Sequence, residues 1–96
     1  MTCKMYSKNW REKRVRLILN DGTIIENGRA GYSMGFLWLR LPGFTMQAAA
    51  DIAFNPALTQ RIVFQYGQME DVYEGYTSCT SINNEDSMIS VCLVKG

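Results

Sequence analysis

Alternation of apolar and polar side chains is the main pattern in this chain of 96 residues, and it predicts strands. Over residues 13–19, one face would hold Val15, Leu17 and Leu19 and the other Arg14, Arg16 and Ile18, which is the period-2 pattern of a half-buried strand. Asp21-Gly22 follows, a dipeptide typical of tight hairpin turns because their central residues need positive φ. Residues 23–26 are therefore expected to return antiparallel. A further strand is predicted over residues 36–41, with a turn at Pro42-Gly43.

Residues 46–54 have the features of a helix instead. The segment contains three consecutive alanines, which have the highest helix propensity, and Thr45 precedes it as a candidate N-cap. Pro56 disfavours continuation past residue 55. A helix of about two and a half turns is too short to be stable alone in water, so it is predicted to pack on the sheet.

Three more strands are predicted in the second half of the chain. Residues 61–66 alternate, residues 72–82 are rich in aromatic and Thr side chains, and residues 87–94 are mainly apolar. Turns at residues 67–71 and 83–86 would join them into a three-stranded antiparallel meander.

The order of strands, one helix and strands predicts an α+β fold. We expect a mainly antiparallel β-sheet or small open barrel of about six strands, with one short helix at residues 46–54 packed on it. The length fits one domain. The predicted division is a basic N-terminal arm at residues 1–12, which lacks a sustained apolar period, and a single domain at residues 13–96.

The chain contains no histidine, and this excludes several kinds of catalytic and metal site. Ser-His-Asp and Cys-His catalytic arrangements and zinc sites with histidine ligands are excluded within one chain. Cys3, Cys79 and Cys92 are odd in number and lack a Cys-x-x-Cys spacing, which argues against a disulfide framework and a thiolate zinc site. Reduced thiols are expected, with a redox switch between Cys79 and Cys92 as the alternative. No cofactor and no metal site are predicted.

The longest run of purely apolar residues covers only residues 36–39, far short of the roughly 20 that a membrane-spanning helix needs. The first sixteen residues carry charges throughout and do not have the pattern of a secretory signal. The expected location is therefore the cytoplasm of a host cell, without a membrane partner.

The net charge of +1 is the sum of two segments with opposite charge. Residues 1–16 hold six basic side chains against Glu12 alone, which gives +5, and the remaining eighty residues hold four basic and eight acidic side chains, which gives −4. Cations interleaved with aromatic side chains suit contacts to phosphates, bases or protein pockets. The alternative is a solvated arm whose Trp10 folds back on the sheet. The predicted partner-binding residues are Lys4, Lys8, Trp10, Arg11, Lys13, Arg14 and Arg16.

Two weaker candidates lie in the second half of the chain. Tyr66, Tyr73 and Tyr76 are a candidate stacking surface, although aromatic residues on strands more often serve cross-strand packing. A second group consists of acidic residues that can do acid-base chemistry or bind a hard cation, and in one strand they would not all share a face. These acidic residues are Glu70, Asp71 and Glu74.

Several segments from residue 20 onward carry a resemblance to a group of known proteins. They are residues 21–24, residues 41–46 leading into the alanine-rich helix, residues 62–67, residues 73–77 and residues 89–94. In these segments the chain resembles small uncharacterised proteins encoded in prophages and mobile elements of gut-associated Gram-positive bacteria. The resemblance implies an origin in a phage or mobile element and no particular chemistry.

These observations favour a non-enzymatic binding protein that occupies a surface of a host protein or nucleoprotein complex, as counter-defence proteins of the anti-CRISPR kind do. The basic arm would supply nucleic-acid backbone contacts. One alternative is a virion structural protein, such as a tail or head-completion subunit, that self-assembles into a homo-oligomer. A second alternative is an enzyme that uses a divalent metal on the acidic group.

Overall fold

The computed structural model describes residues 13–96, and the predicted arm at residues 1–12 lies outside the described residues. Seven strands form one antiparallel sheet in the order β5-β4-β1-β2-β3-β7-β6, which is open because β5 and β6 lie at its two edges. The strands are β1 (Lys13–Ile18), β2 (Ile24–Ser33), β3 (Phe36–Pro42), β4 (Arg61–Tyr66), β5 (Met69–Glu74), β6 (Ser78–Glu85) and β7 (Met88–Val94).

Two helical segments, α1 (Met46–Ala53) and α2 (Pro56–Thr59), lie between β3 and β4. The structure thus confirms the predicted α+β class with one short helix on an open, mainly antiparallel sheet, which has seven strands. The predicted N-cap is also confirmed, since Thr45 Oγ1 accepts a hydrogen bond of 3.1 Å from the backbone N–H of Ala48. The helix buries Ala49 and Ala53 and lies against β6 and β7.

The core lies on the face of the sheet that α1 covers. Leu17 on β1 is paired with Phe64 on β4, and both side chains are buried. Leu39 on β3 and Val91 on β7 are paired in the same way. A smaller cluster lies on the opposite face, where Trp38 packs with buried Cys92 and with Phe36.

The sheet is strongly curved. Its two edge strands, β5 and β6, are consecutive in the chain and are joined by residues 75–77 alone. A link of three residues spans only roughly 10 Å to 14 Å, so the end of β5 lies near the start of β6. The junction is fixed by Gly75, whose N–H donates to the carbonyl of Gln60 at 2.8 Å and whose carbonyl accepts from Gly96 at 3.0 Å.

Two predicted strand boundaries are wrong. The segment expected to be one strand at residues 72–82 is divided between β5 and β6, because Gly75 takes a φ of +85° and turns the chain. As a result β4-β5 and β6-β7 are hairpins at opposite edges of the sheet, and the predicted three-stranded meander does not form. The predicted turn at residues 67–71 is shorter, since β5 already begins at Met69.

The first hairpin also differs from its prediction. We expected a short returning strand at residues 23–26, but β2 is continuous to Ser33. Gly28 lies inside this strand for a packing reason. A Cβ built on Gly28 would lie 3.1 Å from Leu17 Cδ1, so the buried Leu17 side chain occupies the space that a larger residue would need.

Candidate functional site

The exposed face of β1 carries two of the predicted binding residues. Arg14 and Arg16 alternate with buried Val15 and Leu17, so both guanidinium groups lie on the face away from the core. The Arg14 side chain makes no hydrogen bond or ion pair to any residue within 13–96. Arg16 is paired, with its Nε 3.1 Å from Glu26 Oε1. Of the two arginines, Arg14 thus has the guanidinium that is available to an acceptor on a partner molecule.

A β-bulge shapes the surface around these arginines. Val15 is opposite Gly28 and Leu17 is opposite Ile25, so Arg16 alone faces two residues of β2, Glu26 and Asn27. Asn27 has a φ of +58°, a left-handed conformation that costs energy for any residue with a side chain and is least unfavourable for Asn and Asp. Such backbone strain recurs at binding sites.

The bulge borders an open pocket of about 300 Å³. Its walls combine the two arginines with the Glu26 carboxylate and with amide groups from β2 and β4, so the lining is mainly polar. The lining residues are Arg14, Val15, Arg16, Glu26, Asn27, Gln65, Tyr66 and Gly67. Charged and amide groups of this kind suit a polar or anionic group of a partner and not an apolar one.

Lys13 lies on the other face of β1, where it joins a network at the end of the core. Its Nζ donates to Tyr66 Oη at 3.0 Å, and that hydroxyl donates to Asp71 Oδ2 at 2.8 Å. The hydrogen bond to Tyr66 raises the pKa of the Lys13 ammonium, and the Asp71 carboxylate adds to the shift. Lys13 is therefore cationic at neutral pH, but its charge is directed to Asp71 and not to the arginine pocket.

A cluster of tyrosines, Tyr32, Tyr73 and Tyr76, lies next to this network. Tyr32 stacks on Tyr73 with ring centroids 5.5 Å apart, and Tyr76 contacts both rings edge-on at 6.0 Å. Phe64 supports Tyr73 from the core at 4.8 Å. Burial raises the pKa of Tyr76 to about 12, with the Tyr32 hydroxyl adding to the shift, and burial also raises the pKa of Tyr73.

The predicted tyrosine surface is thus partly a packing cluster. Tyr73 and Tyr76 pack against each other. Beside them, Tyr66 is hydrogen-bonded to Lys13 and Asp71. Tyr32, which the sequence analysis did not select, is the most exposed ring of the tyrosine cluster. Tyr76 is almost fully buried, at 6% exposure, so the rings of Tyr32 and Tyr73 beside it serve mainly to close the end of the core.

The acidic group does not converge on one point. Asp71 is opposite core residue Phe64, while Glu70 and Glu74 are opposite Gln65 and Arg61 on the outer face. Within residues 13–96, no group of three or more Asp, Glu or Cys side chains is arranged to hold a metal ion. In the same range, no helix has the length and apolar character needed to cross a membrane.

Of the seven predicted binding residues, the structure describes three. Arg14 and Arg16 lie together at the pocket, and Lys13 lies on the opposite face. Lys4, Lys8, Trp10 and Arg11 lie outside the described residues. Glu26, Asn27 and Gln65 were not predicted. The dipeptide Asn27-Gly28 was a usable signal, because both residue types favour the positive φ of turns and bulges.

Cys79 and Cys92 occupy neighbouring positions on β6 and β7 but face opposite sides of the sheet. Cys79 is opposite core residue Leu93, and Cys92 directly precedes Leu93 in β7 and packs with Trp38. Because successive side chains of a strand point to opposite faces, the two sulfurs do not meet. The predicted redox alternative for this pair is therefore wrong in this structure.

Comparisons of the chain with protein-family models, with curated proteins and with solved structures find no match. The class that the structure itself defines is a small α+β protein with an open, seven-stranded antiparallel sheet.

Proposed function

We propose that this chain is a non-enzymatic binding protein of phage or mobile-element origin that occupies a surface of a host protein or nucleoprotein complex, in the manner of anti-CRISPR proteins. The observation that carries the proposal is the arginine pocket. Arg14 and Arg16 project from adjacent outward positions of β1, and Arg14 has no ion-pair partner within residues 13–96.

The chemistry of the pocket indicates the kind of surface that it would bind. A guanidinium presents several N–H donors in a planar fork that matches carboxylate and phosphate oxygens. Residues 1–12, which precede β1 in the sequence, carry three basic side chains against Glu12 alone. The expected partner surface is therefore acidic, formed by carboxylates of a host protein or by the phosphates of a bound nucleic acid.

Affinity capture tests the proposal. Tagged protein is incubated with lysate of a Gram-positive host, with and without nuclease, and retained proteins are quantified by mass spectrometry. The test variant is Arg14→Gln with Arg16→Gln. The matched control is Arg61→Gln with Lys95→Gln, which removes the same charge at exposed positions that do not line the pocket.

We expect the wild type and the control to retain the same specific partner, and the test variant to retain about tenfold less of it, because each charged contact contributes on the order of 1 kcal/mol or more. Loss of the partner after nuclease treatment identifies a nucleoprotein target. Equal retention by the test variant and the control contradicts the role of the pocket. Retention of no specific partner by the wild type contradicts the proposal as a whole.

The virion alternative is supported by one observation. Met34 in the β2-β3 turn and Phe54 after α1 are large apolar side chains with high exposure, and an assembling subunit would bury such side chains against its neighbours. Sedimentation of the purified chain separates the two functions, because an assembling subunit forms rings or larger oligomers and an inhibitor stays small.

A further inference from the structure

The edge strand β5 has a hydrogen-bonding side to which no other strand within residues 13–96 is paired. Within residues 13–96 it pairs only with β4, over all six of its residues. It contains no Pro or Lys, the residues that commonly block edge strands. Met69 and Val72 are 60% and 44% exposed, so the strand is accessible along its length.

The hairpin geometry fixes which backbone groups point outward. Gly67 and Gln68 form a two-residue loop, with Gly67 at a φ of +57°, so Tyr66 and Met69 are the hydrogen-bonded pair that closes the hairpin. Hydrogen-bonded and non-hydrogen-bonded pairs alternate from there along the two strands. The backbone N–H and C=O groups that point away from β4 therefore belong to Glu70, Val72 and Glu74.

The same three residues place a charged pattern beside those backbone groups. Their side chains share the outer face in the order acidic, apolar, acidic. Gln65 donates a hydrogen bond of 2.8 Å to Glu70, and Glu74 is 68% exposed with Arg61 3.8 Å away. Antiparallel pairing of two copies of β5 centred on Val72 would put Glu70 opposite Glu74, and like charges directly opposite are destabilising. The charge pattern of this edge therefore favours a basic strand over a second copy of β5 in that register.

We propose that β5 binds an extended segment of a partner protein as an added antiparallel strand. The segment carries a basic side chain, an apolar side chain and a second basic side chain at alternate positions, opposite Glu74, Val72 and Glu70. Main-chain hydrogen bonds hold the segment, and the two ion pairs select its sequence. The surface lies at the edge of the sheet beside the arginine pocket, and Gln65, which donates to Glu70, also lines that pocket.

A synthetic peptide tests the proposal without knowledge of the natural partner. The probe is acetyl-Ser-Lys-Thr-Val-Thr-Lys-Ser-amide with a fluorophore, titrated with the full chain at low salt. The first control replaces both lysines with glutamates. The second pair of controls is N-methylated, either at the valine, whose N–H would point to β5, or at one threonine, whose N–H would point away.

We expect the probe and the threonine-methylated peptide to bind alike. The valine-methylated and acidic peptides are expected to bind at least about tenfold more weakly, since each loses hydrogen bonds or charge pairs at the interface. Equal binding of the two N-methylated peptides, or no binding of the lysine probe, overturns the proposal. This outcome is independent of Arg14 and Arg16, so it leaves the proposed function untouched.

Protein variants and hydrogen exchange supply a second readout. Val72→Pro removes one outward N–H that β4 does not use, and Val72→Thr keeps it. We expect Val72→Pro to lose probe binding and Val72→Thr to retain it. If the proline variant does not fold, the double variant Glu70→Gln, Glu74→Gln is tested in its place. In the wild type, the probe should slow exchange of the amides of Glu70, Val72 and Glu74. No protection of these amides by a bound probe rules out strand addition.

Discussion

The guanidinium of Arg16 and the carboxylate of Glu26 face each other across the bulge between β1 and β2, with Nε 3.1 Å from Oε1 and 3.0 Å from Oε2. Both side chains are at least half exposed, and exposed ion pairs contribute only about 0 to 1 kcal/mol to stability. The pair therefore contributes little to stability, and its carboxylate competes with an acidic partner for the Arg16 guanidinium.

Glu26→Gln is the substitution that separates these two roles. We expect the free energy of unfolding in urea to change by no more than about 0.5 kcal/mol, because the pair is exposed. Retention of an acidic partner should increase, since the variant removes a carboxylate from the pocket. A large loss of stability, or reduced retention, would show that Glu26 has a structural or attractive role instead.

Asn27 provides a test of the bulge. Its φ of +58° suits Gly, tolerates Asn and disfavours Ala. We expect Asn27→Ala to lower the free energy of unfolding by roughly 1 kcal/mol and Asn27→Gly to leave it nearly unchanged. Chemical denaturation of both variants checks this. Equal stability of the two would mean that the bulge conformation is not maintained in solution.

Thr59 provides a test of the core. Its side chain is fully buried, and its Oγ1 has no hydrogen-bond partner in the part of the chain that the structure describes. A buried polar group without a partner is destabilising, and Val has nearly the same shape. We expect Thr59→Val to raise the free energy of unfolding by about 1 kcal/mol. A decrease of similar size would show that the hydroxyl does have a partner in solution.

The titration of Tyr76 makes the free energy of unfolding depend on pH in the alkaline range. Its pKa is about 12 in the folded chain and about 10 when unfolded. The folded state therefore holds its proton more tightly, and the associated stability is fully present below pH 10 and is lost as the pH rises from about 10 to about 12. The loss is on the order of 2 to 3 kcal/mol. Urea unfolding at several pH values in this window measures it.

Tyr76→Phe removes the titrating hydroxyl, so its unfolding free energy should decline less over this window than that of the wild type. Parallel declines in the wild type and Tyr76→Phe would contradict the assignment of the effect to Tyr76.

The parts of the fold that could be predicted are those encoded locally. The alternation around Val15 and Leu17 and the cap at Thr45 depend on neighbouring residues alone, and both predictions match the structure. The strand order could not be predicted, because β1 pairs with β4 through contacts such as Leu17 with Phe64, which are distant in sequence. The continuation of β2 through Gly28 could not be predicted, because the packing of the Leu17 side chain against Gly28 exists only in the folded chain.

In the candidate site, too, only the features that are encoded locally could be predicted. Alternation along β1 was enough to place Arg14 and Arg16 on one exposed face. The contribution of Glu26 and Asn27 was missed because a bulge is a property of two paired strands, and its register is not encoded in either strand alone.

The claim that the arginine pocket binds a host partner is tested by measuring the affinity of the captured partner for the purified protein. It should be measured over a series of salt concentrations for the wild type, the Arg14→Gln, Arg16→Gln variant and the Arg61→Gln, Lys95→Gln control. The account predicts that only the first variant binds about tenfold or more weakly, with a reduced dependence on salt. Equal affinities and equal salt dependence for both variants would contradict it.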